Sequence, residues 1–152
     1  MANTFAGDSL KSDKYVIGPR YCVEIDGLIE ATFSECSGLS ATLRTDKWEE
    51  GGANETTLKF PGRTDFGNIV LKRGVTSSAE LFRWFTDQLM GVKNRKTVTI
   101  KLVNHDLEVL ESWEFKDAFP VKWTGPTLQA TSNAIAIESF EIAHDGFLKL
   151  PP

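Results

Sequence analysis

Chemistry in this chain would have to start from two histidines, two cysteines and an adjacent carboxylate pair. His105 lies in Asn104-His105-Asp106 and His144 in His144-Asp145-Gly146, and both read as solvent-exposed turns. Neither belongs to a His/Cys/carboxylate spacing that holds a metal. Glu49-Glu50 cannot act as a general acid/base pair on a strand, because adjacent side chains there point to opposite faces. The segment before Arg20 has neither a basic n-region nor an apolar h-region, which predicts no secretory signal. Without an oxidising compartment, Cys22 and Cys36 are expected to be buried thiols. No nucleophile elbow, P-loop or dinucleotide-binding glycine motif is present. Lys93, Arg95 and Lys96 come after an expected helix C-terminus, where they complement its dipole and stay solvated. The expectation is a protein with no catalytic residue, no metal and no cofactor.

The elements that would position such groups point instead to a packed β-rich domain. The 152 residues suit a single domain spanning 1–152, and the 41% hydrophobic share is ample for one core. A net charge of −4 argues against a dedicated nucleic-acid surface, and no apolar run approaches a membrane span. Residues 1–14 are small and polar and read as a mobile arm. Arg20 to Asp26 alternates Tyr21, Val23 and Ile25 against Cys22, Glu24 and Asp26, a half-buried strand closed by the Asp26-Gly27 turn. A second strand is expected over Ala31–Cys36, and a third over Asn68–Arg73 carrying Ile69 and Leu71.

One helix is expected, over 77–90. Ser77 followed by Glu80 has the capping-box pattern, and Gly91 suits the left-handed residue beyond the C-terminus. Leu81, Phe82, Phe85 and Leu89 form its apolar stripe, widened by Trp84. The rest reads as strand. Val98, Ile100 and Leu102 alternate with polar residues, and Val109, Trp113, Phe115 and Phe119 share one parity. Pro120 and Gly125-Pro126 punctuate the next short strand, which contains Trp123. Near the end Ile135 and Ile137 occupy one parity but Phe140 and Ile142 the other. That predicts either a bulge near Glu138-Ser139 or a strand buried on both faces.

The segment 41–60 is unlike the others. Two extended runs flank Gly51-Gly52-Ala53-Asn54, which is hairpin-loop chemistry, yet the first run is polar on both faces. A hairpin that polar buries too little to be stable alone. Either it is a solvent loop or another chain completes it.

Taken in order, FSECSGL (33–39), WEEGGAN (48–54), KFPGR (59–63), NIVLKRG (68–74) and the aromatic helix resemble the tail-tube proteins of contractile-tailed bacteriophages and related phage-tail-like injection systems. AIAIESFEIAHDGF (134–147) resembles that family's final strand. The resemblance implies a mainly β fold, two packed antiparallel sheets forming a small barrel or sandwich with one helix and an extended hairpin arm. It also implies a homo-hexameric ring that stacks into an inner tube. A sheath would lie outside it, baseplate and cap or terminator proteins at its ends, and a DNA or protein payload in its lumen. The arm, with Arg44, Asp46, Lys47, Trp48, Glu49, Glu50, Asn54, Glu55 and Lys59, would then reach the adjoining subunit or ring. Assembly would take place in the bacterial cytoplasm, without direct membrane binding, and the product would be a virion tail or an injection particle. Related alternatives are a tube-initiating or cap homologue and the ring protein of type VI secretion. From another class, a ligand-binding β-barrel or an enzyme would run as a monomer on size exclusion.

Overall fold

The structure, a computed structural model, describes residues 20–30, 33–48, 51–52, 57–75 and 79–151. The expected arm at 1–14, together with Ser77, Glu49, Glu50, Asn54 and Glu55, lies outside these residues. The ten strands and one helix are, in chain order, β1 (Arg20–Ile25), β2 (Leu28–Glu30), β3 (Glu35–Ser37), β4 (Ala41–Trp48), β5 (Leu58–Phe66), β6 (Ile69–Gly74), α1 (Glu80–Leu89), β7 (Lys96–Val103), β8 (Val109–Thr124), β9 (Ile137–Ala143) and β10 (Gly146–Leu150). All pairings are antiparallel, along the path β2-β1-β7-β8-β9-β6-β3, with β10 also on β8 and β4-β5 as a separate two-stranded sheet.

The long strand β8 makes this a sandwich. Its first half pairs with β7 and β10, its second half with β9. Between them, Lys96↔Ala118 and Val98↔Phe115 give β8 one residue more than β7. Asp117 takes up the surplus at φ 51°. Such a bulge bends and twists a strand, and β8 passes there from one sheet to the other. Val23, Ile25, Val98, Ile100 and Phe115 from the first sheet meet Ile69, Leu71, Phe140 and Ile142 from the second in one core. The path ends, β2 and β3, are not paired with each other, so the sandwich holds and no barrel closes among the described strands.

Several expectations are corrected. Of the strand expected over Ala31–Cys36, Phe33 and Ser34 lie outside any strand and Glu35 opens β3, which pairs with β6, whereas β2 pairs with β1. Pro120 lies inside β8 at a second bulge, between Pro120↔Ile142 and Lys122↔Glu141, where a missing N–H is tolerated. β9 itself has no bulge. Its pairing with β6 is continuous, Glu138, Phe140 and Ile142 face inward, and Ile135 and Ile137 are exposed. The parity expected of β8 breaks at Asp117, so that Phe115 is buried before it and Ala118 after it, with Phe119 only half-buried.

The helix begins at Glu80 behind a non-helical Ala79, without a side-chain cap. Ser77, expected to cap the helix, lies outside the described residues. Glu80 instead sits in the first turn, where a carboxylate complements the helix dipole. Gly91 ends the helix at φ 80° as expected. The buried side is Leu81 and Trp84, with Phe85 packed against the core, whereas Phe82 and Leu89 are exposed. Trp84 takes the central place because its indole N–H finds an acceptor, Asn94 O at 2.7 Å, as a buried Trp requires. Trp84→Ala should therefore cost about 3–5 kcal/mol. Leu89→Ala, an exposed truncation, should stay within about 0.5 kcal/mol. Urea denaturation of both variants checks this, and similar midpoints would contradict the assigned face.

Candidate functional site

The groups capable of chemistry are not brought together. His105 is exposed in a turn tied by Asn104 Oδ1, which accepts from the N–H of Asp106 at 2.9 Å and of Glu108 at 2.8 Å. His144, expected in a solvent turn, is half-buried between the rings of Phe66 and Phe115. Its Nε2 lies 3.0 Å from Gly67 O, and since a carbonyl can only accept, that nitrogen carries the proton. Cys22 and Cys36 are free thiols. Burial, with Glu35 beside it, pushes Cys36 up to about 11. Burial, then Glu24, also raises Cys22, partly opposed by Lys101. A thiolate is the nucleophile and the metal ligand, so the upward shifts make both thiols poorer nucleophiles and ligands than a free cysteine. Among the described residues no group of three or more His, Cys, Asp or Glu could hold a metal, and no helix is long and apolar enough to cross a membrane. Of the basic cluster, Arg95 is more than solvated: it pairs with Asp145 at 2.7 Å and covers the Phe119 ring at 4.7 Å.

What stands out is the hairpin β4–β5. All of β4 is exposed, and β5 contributes nothing to the core. Its register is nevertheless specified. Ala41↔Phe66, Thr42↔Asp65 and Leu43↔Thr64 form the base. After a bulge come Thr45↔Pro61, Asp46↔Phe60, Lys47↔Lys59 and Trp48↔Leu58. Pro61-Gly62 lies within β5, at the bulge, a position where proline is tolerated.

Cross-strand partners share a face. One face carries Asp46, Trp48, Leu58 and Phe60, with Arg44 ion-paired to Asp65 toward the base. The other carries Lys47 directly against Lys59, a like-charge pair that disfavours the isolated hairpin. Trp48, Leu58 and Phe60 are 65%, 46% and 52% exposed. The hairpin is thus not polar on both faces, as the first strand alone had indicated. Leu58 and Phe60 are supplied by the second strand, and the alternation in TTLKF was the signal that could have found them.

The base of the hairpin is rigid. Phe66 packs edge-on against Phe147 at 5.9 Å and tilted against His144 at 5.6 Å. The N–H of Gly67 donates to Ser40 O at 3.0 Å. Gly38, at φ 84°, lies so near the chain that a Cβ there would fall 2.0 Å from Asn68 O. This accounts for the glycine of the SGL motif. An exposed ribbon is thus mounted on a close-packed joint.

Two further exposed apolar regions complete the surface. Phe82 of α1 meets Trp123 of β8 edge-on at 5.1 Å, with Leu89 and Met90 exposed nearby in sequence. The loop between β8 and β9 exposes Leu128 and Ile135, at 82% and 79%.

Comparison with known proteins gives this surface a context. Residues 18–148 match the family model described as T4-like virus tail tube protein gp19. No curated protein sequence matches. Among solved structures, the chain is similar to one in the sheath-tube complex of an extracellular contractile injection system, PVC, in its extended state. The identity is 29%, the TM-score 0.82, and 91% of this chain and 93% of that one are covered. It is also similar to a chain in the anti-feeding prophage tube-terminating cap, at 28% identity and TM-score 0.85, covering 98% and 99%. Hcp1 from Flavobacterium johnsoniae shares the fold at 19% identity and TM-score 0.52, over 85% and 93% of the two chains. With its specified but coreless hairpin and a match over nearly its whole length, the chain belongs to the T4-like virus tail tube protein gp19 family.

Proposed function

We propose that this protein is the main subunit of the inner tube of a contractile tail or injection particle. Six copies form a ring, rings stack into a hollow conduit for DNA or protein, and the β4–β5 hairpin of each copy reaches the adjoining subunit or ring. The observation that carries the reading is the hairpin itself. It has a fixed register and a rigid base, yet exposes Trp48, Leu58 and Phe60 and opposes Lys47 to Lys59, so no other described part of its own chain completes it. Different surfaces meeting head to tail close into a ring when the rotation permits, and ring-on-ring contacts leave an open stack.

In this reading the role is structural and needs no cofactor or metal. The partners are a sheath outside and baseplate and cap or terminator proteins at the ends. Assembly takes place in the bacterial cytoplasm, and the product is a virion tail or an injection particle. Negative-stain microscopy and mass photometry of the purified protein test it: six-fold rings or hollow tubes are expected, and monomer at every concentration, with or without baseplate, would overturn it. A second reading, a cap or initiating ring, is favoured by the match to the anti-feeding prophage cap structure over 98% of the chain. Tubes many rings long favour the main subunit; assembly that stops at one ring favours the cap.

A further inference from the structure

We infer that the tip of the β4–β5 hairpin docks into the uncharged loop Gly125–Ile137 of a second copy, with Trp48 as the knob. This rests on the reading of the hairpin as an inter-subunit element and names its acceptor.

The acceptor has an unusual composition. From Gly125 to Ile137 there is no Asp, Glu, Lys or Arg, although a quarter of the chain is charged (25%). Leu128 and Ile135 stand almost wholly in solvent, and Ile137 beside them is 49% exposed. Charge-free aliphatic surface of this kind marks an interaction site. The loop also encloses a cleft of about 430 Å³, lined by Leu128, Gln129, Ser132, Ile135 and Ile137. That is within the range of roughly 300–1,000 Å³ in which pockets enclose a small-molecule-sized group.

The hairpin offers the matching shape. Trp48 and Leu58 face each other across the strands at the outer end of β4 and β5, on the side that also bears Phe60 and Asp46. Eight residues of β4 at about 3.3 Å each carry that tip roughly 26 Å along the ribbon. Tryptophan is the side chain most often found as an interface anchor, seated in a pocket and ringed by polar contacts. Here the ring is supplied by Gln129 and Ser132, whose N–H and O–H groups can donate to the Asp46 carboxylate.

Charge selects the face. Docking through the opposite side would desolvate Lys47 and Lys59 together, which is costly without a carboxylate partner, and the loop has none. Docking through the Trp48 side leaves both lysines in water. The other apolar patch, Phe82 and Trp123, suits the tip less well. Those two rings already pack on each other, and exposed Arg83 and Lys122 flank them.

Cysteine pairs test the inference. A chain carrying Phe60→Cys and Ile135→Cys retains Trp48; treated with a short bis-maleimide in the assembled state, it should give a ladder of linked copies on denaturing gels. The parent, whose Cys22 and Cys36 are half-buried, and each single variant should not. A control carrying Phe60→Cys and Leu89→Cys should also give none. In addition, Ile135→Asp should raise the concentration needed for assembly at least tenfold while leaving the melting temperature unchanged. A ladder with Leu89→Cys, or normal assembly by Ile135→Asp, overturns the acceptor while leaving the hairpin an inter-subunit element. Failure of the parent protein to assemble at all overturns the underlying reading as well.

Discussion

Removing the hairpin should abolish polymerisation and leave the fold in place. The cut is set by the register. Ala41 and Phe66 are directly paired, so their Cα atoms lie about 4.5–5.5 Å apart, a gap that a Gly-Gly link closes without strain. Phe66 must stay, because it packs on His144 and Phe147. Of what is lost, residues 42–65, no described residue is a member of the core. The surface ion pair Arg44–Asp65 goes with it, at 69% and 51% side-chain exposure, and exposed pairs are worth at most about 1 kcal/mol. For a domain of this size about 1 kcal/mol moves the melting temperature by roughly 2–4 °C. The expected result is a melting temperature within a few degrees of the parent and no ring or tube by mass photometry or microscopy. Normal tubes would reduce the hairpin to a loop. Unfolding would mean that its exposed faces hide a contribution to the core.

The sequence made the fold class, the hairpin and the single helix legible because each rests on local periodicity or on a turn signal. Tyr21 to Ile25 and Val98 to Leu102 alternate as half-buried strands must, and Asp26-Gly27 adopts the two positive φ values that its hairpin turn requires, 51° and 79°. What was lost depends on long-range pairing. The bulge at Asp117 that hands β8 from one sheet to the other has no local signature, so its parity was carried past the break. Pro120 reads as punctuation in the sequence, because only the partner strand reveals that it lies at a bulge inside β8. On α1, hydrophobicity alone ranked Phe82 and Leu89 with Leu81, and the acceptor that draws Trp84 inward, Asn94 O, lies beyond the helix. On the hairpin, the charges of β4 hid the apolar strip, since two of its three members belong to β5. Arg73 was legible and overlooked: it shares the parity of Ile69 and Leu71, as Glu138 shares that of Phe140 and Ile142.

That overlooked pair carries the second large expected effect. Arg73 and Glu138 are directly opposite on β6 and β9 and both face the core, at 1% and 8% exposure. Arg73 Nε donates to Glu138 Oε1 at 2.8 Å, and the Trp123 indole N–H donates to Oε2 at 3.0 Å, so three neighbouring strands meet at one carboxylate. The guanidinium also sits over the rings of Phe33 and Phe140, at 5.8 and 5.5 Å. Arg73→Met keeps the apolar stem and removes the charge. It leaves the Glu138 carboxylate buried beside an indole, and breaking such a pair commonly costs about 3–5 kcal/mol. Against a total stability of about 5–15 kcal/mol, that is a severe loss. Replacing both members, Arg73→Met with Glu138→Leu, removes the stranded charge and should be less destabilising than Arg73→Met alone. That inversion is what separates a buried ion pair from two groups that act independently, whose truncations add. The comparison is best made in the hairpin-deleted chain, where assembly does not add to apparent stability. Urea denaturation of the parent, both single variants and the double variant then gives the coupling directly. A double variant as damaged as the sum of the singles would show that Arg73 acts through its stem and ring contacts, and that its charge is incidental to the fold.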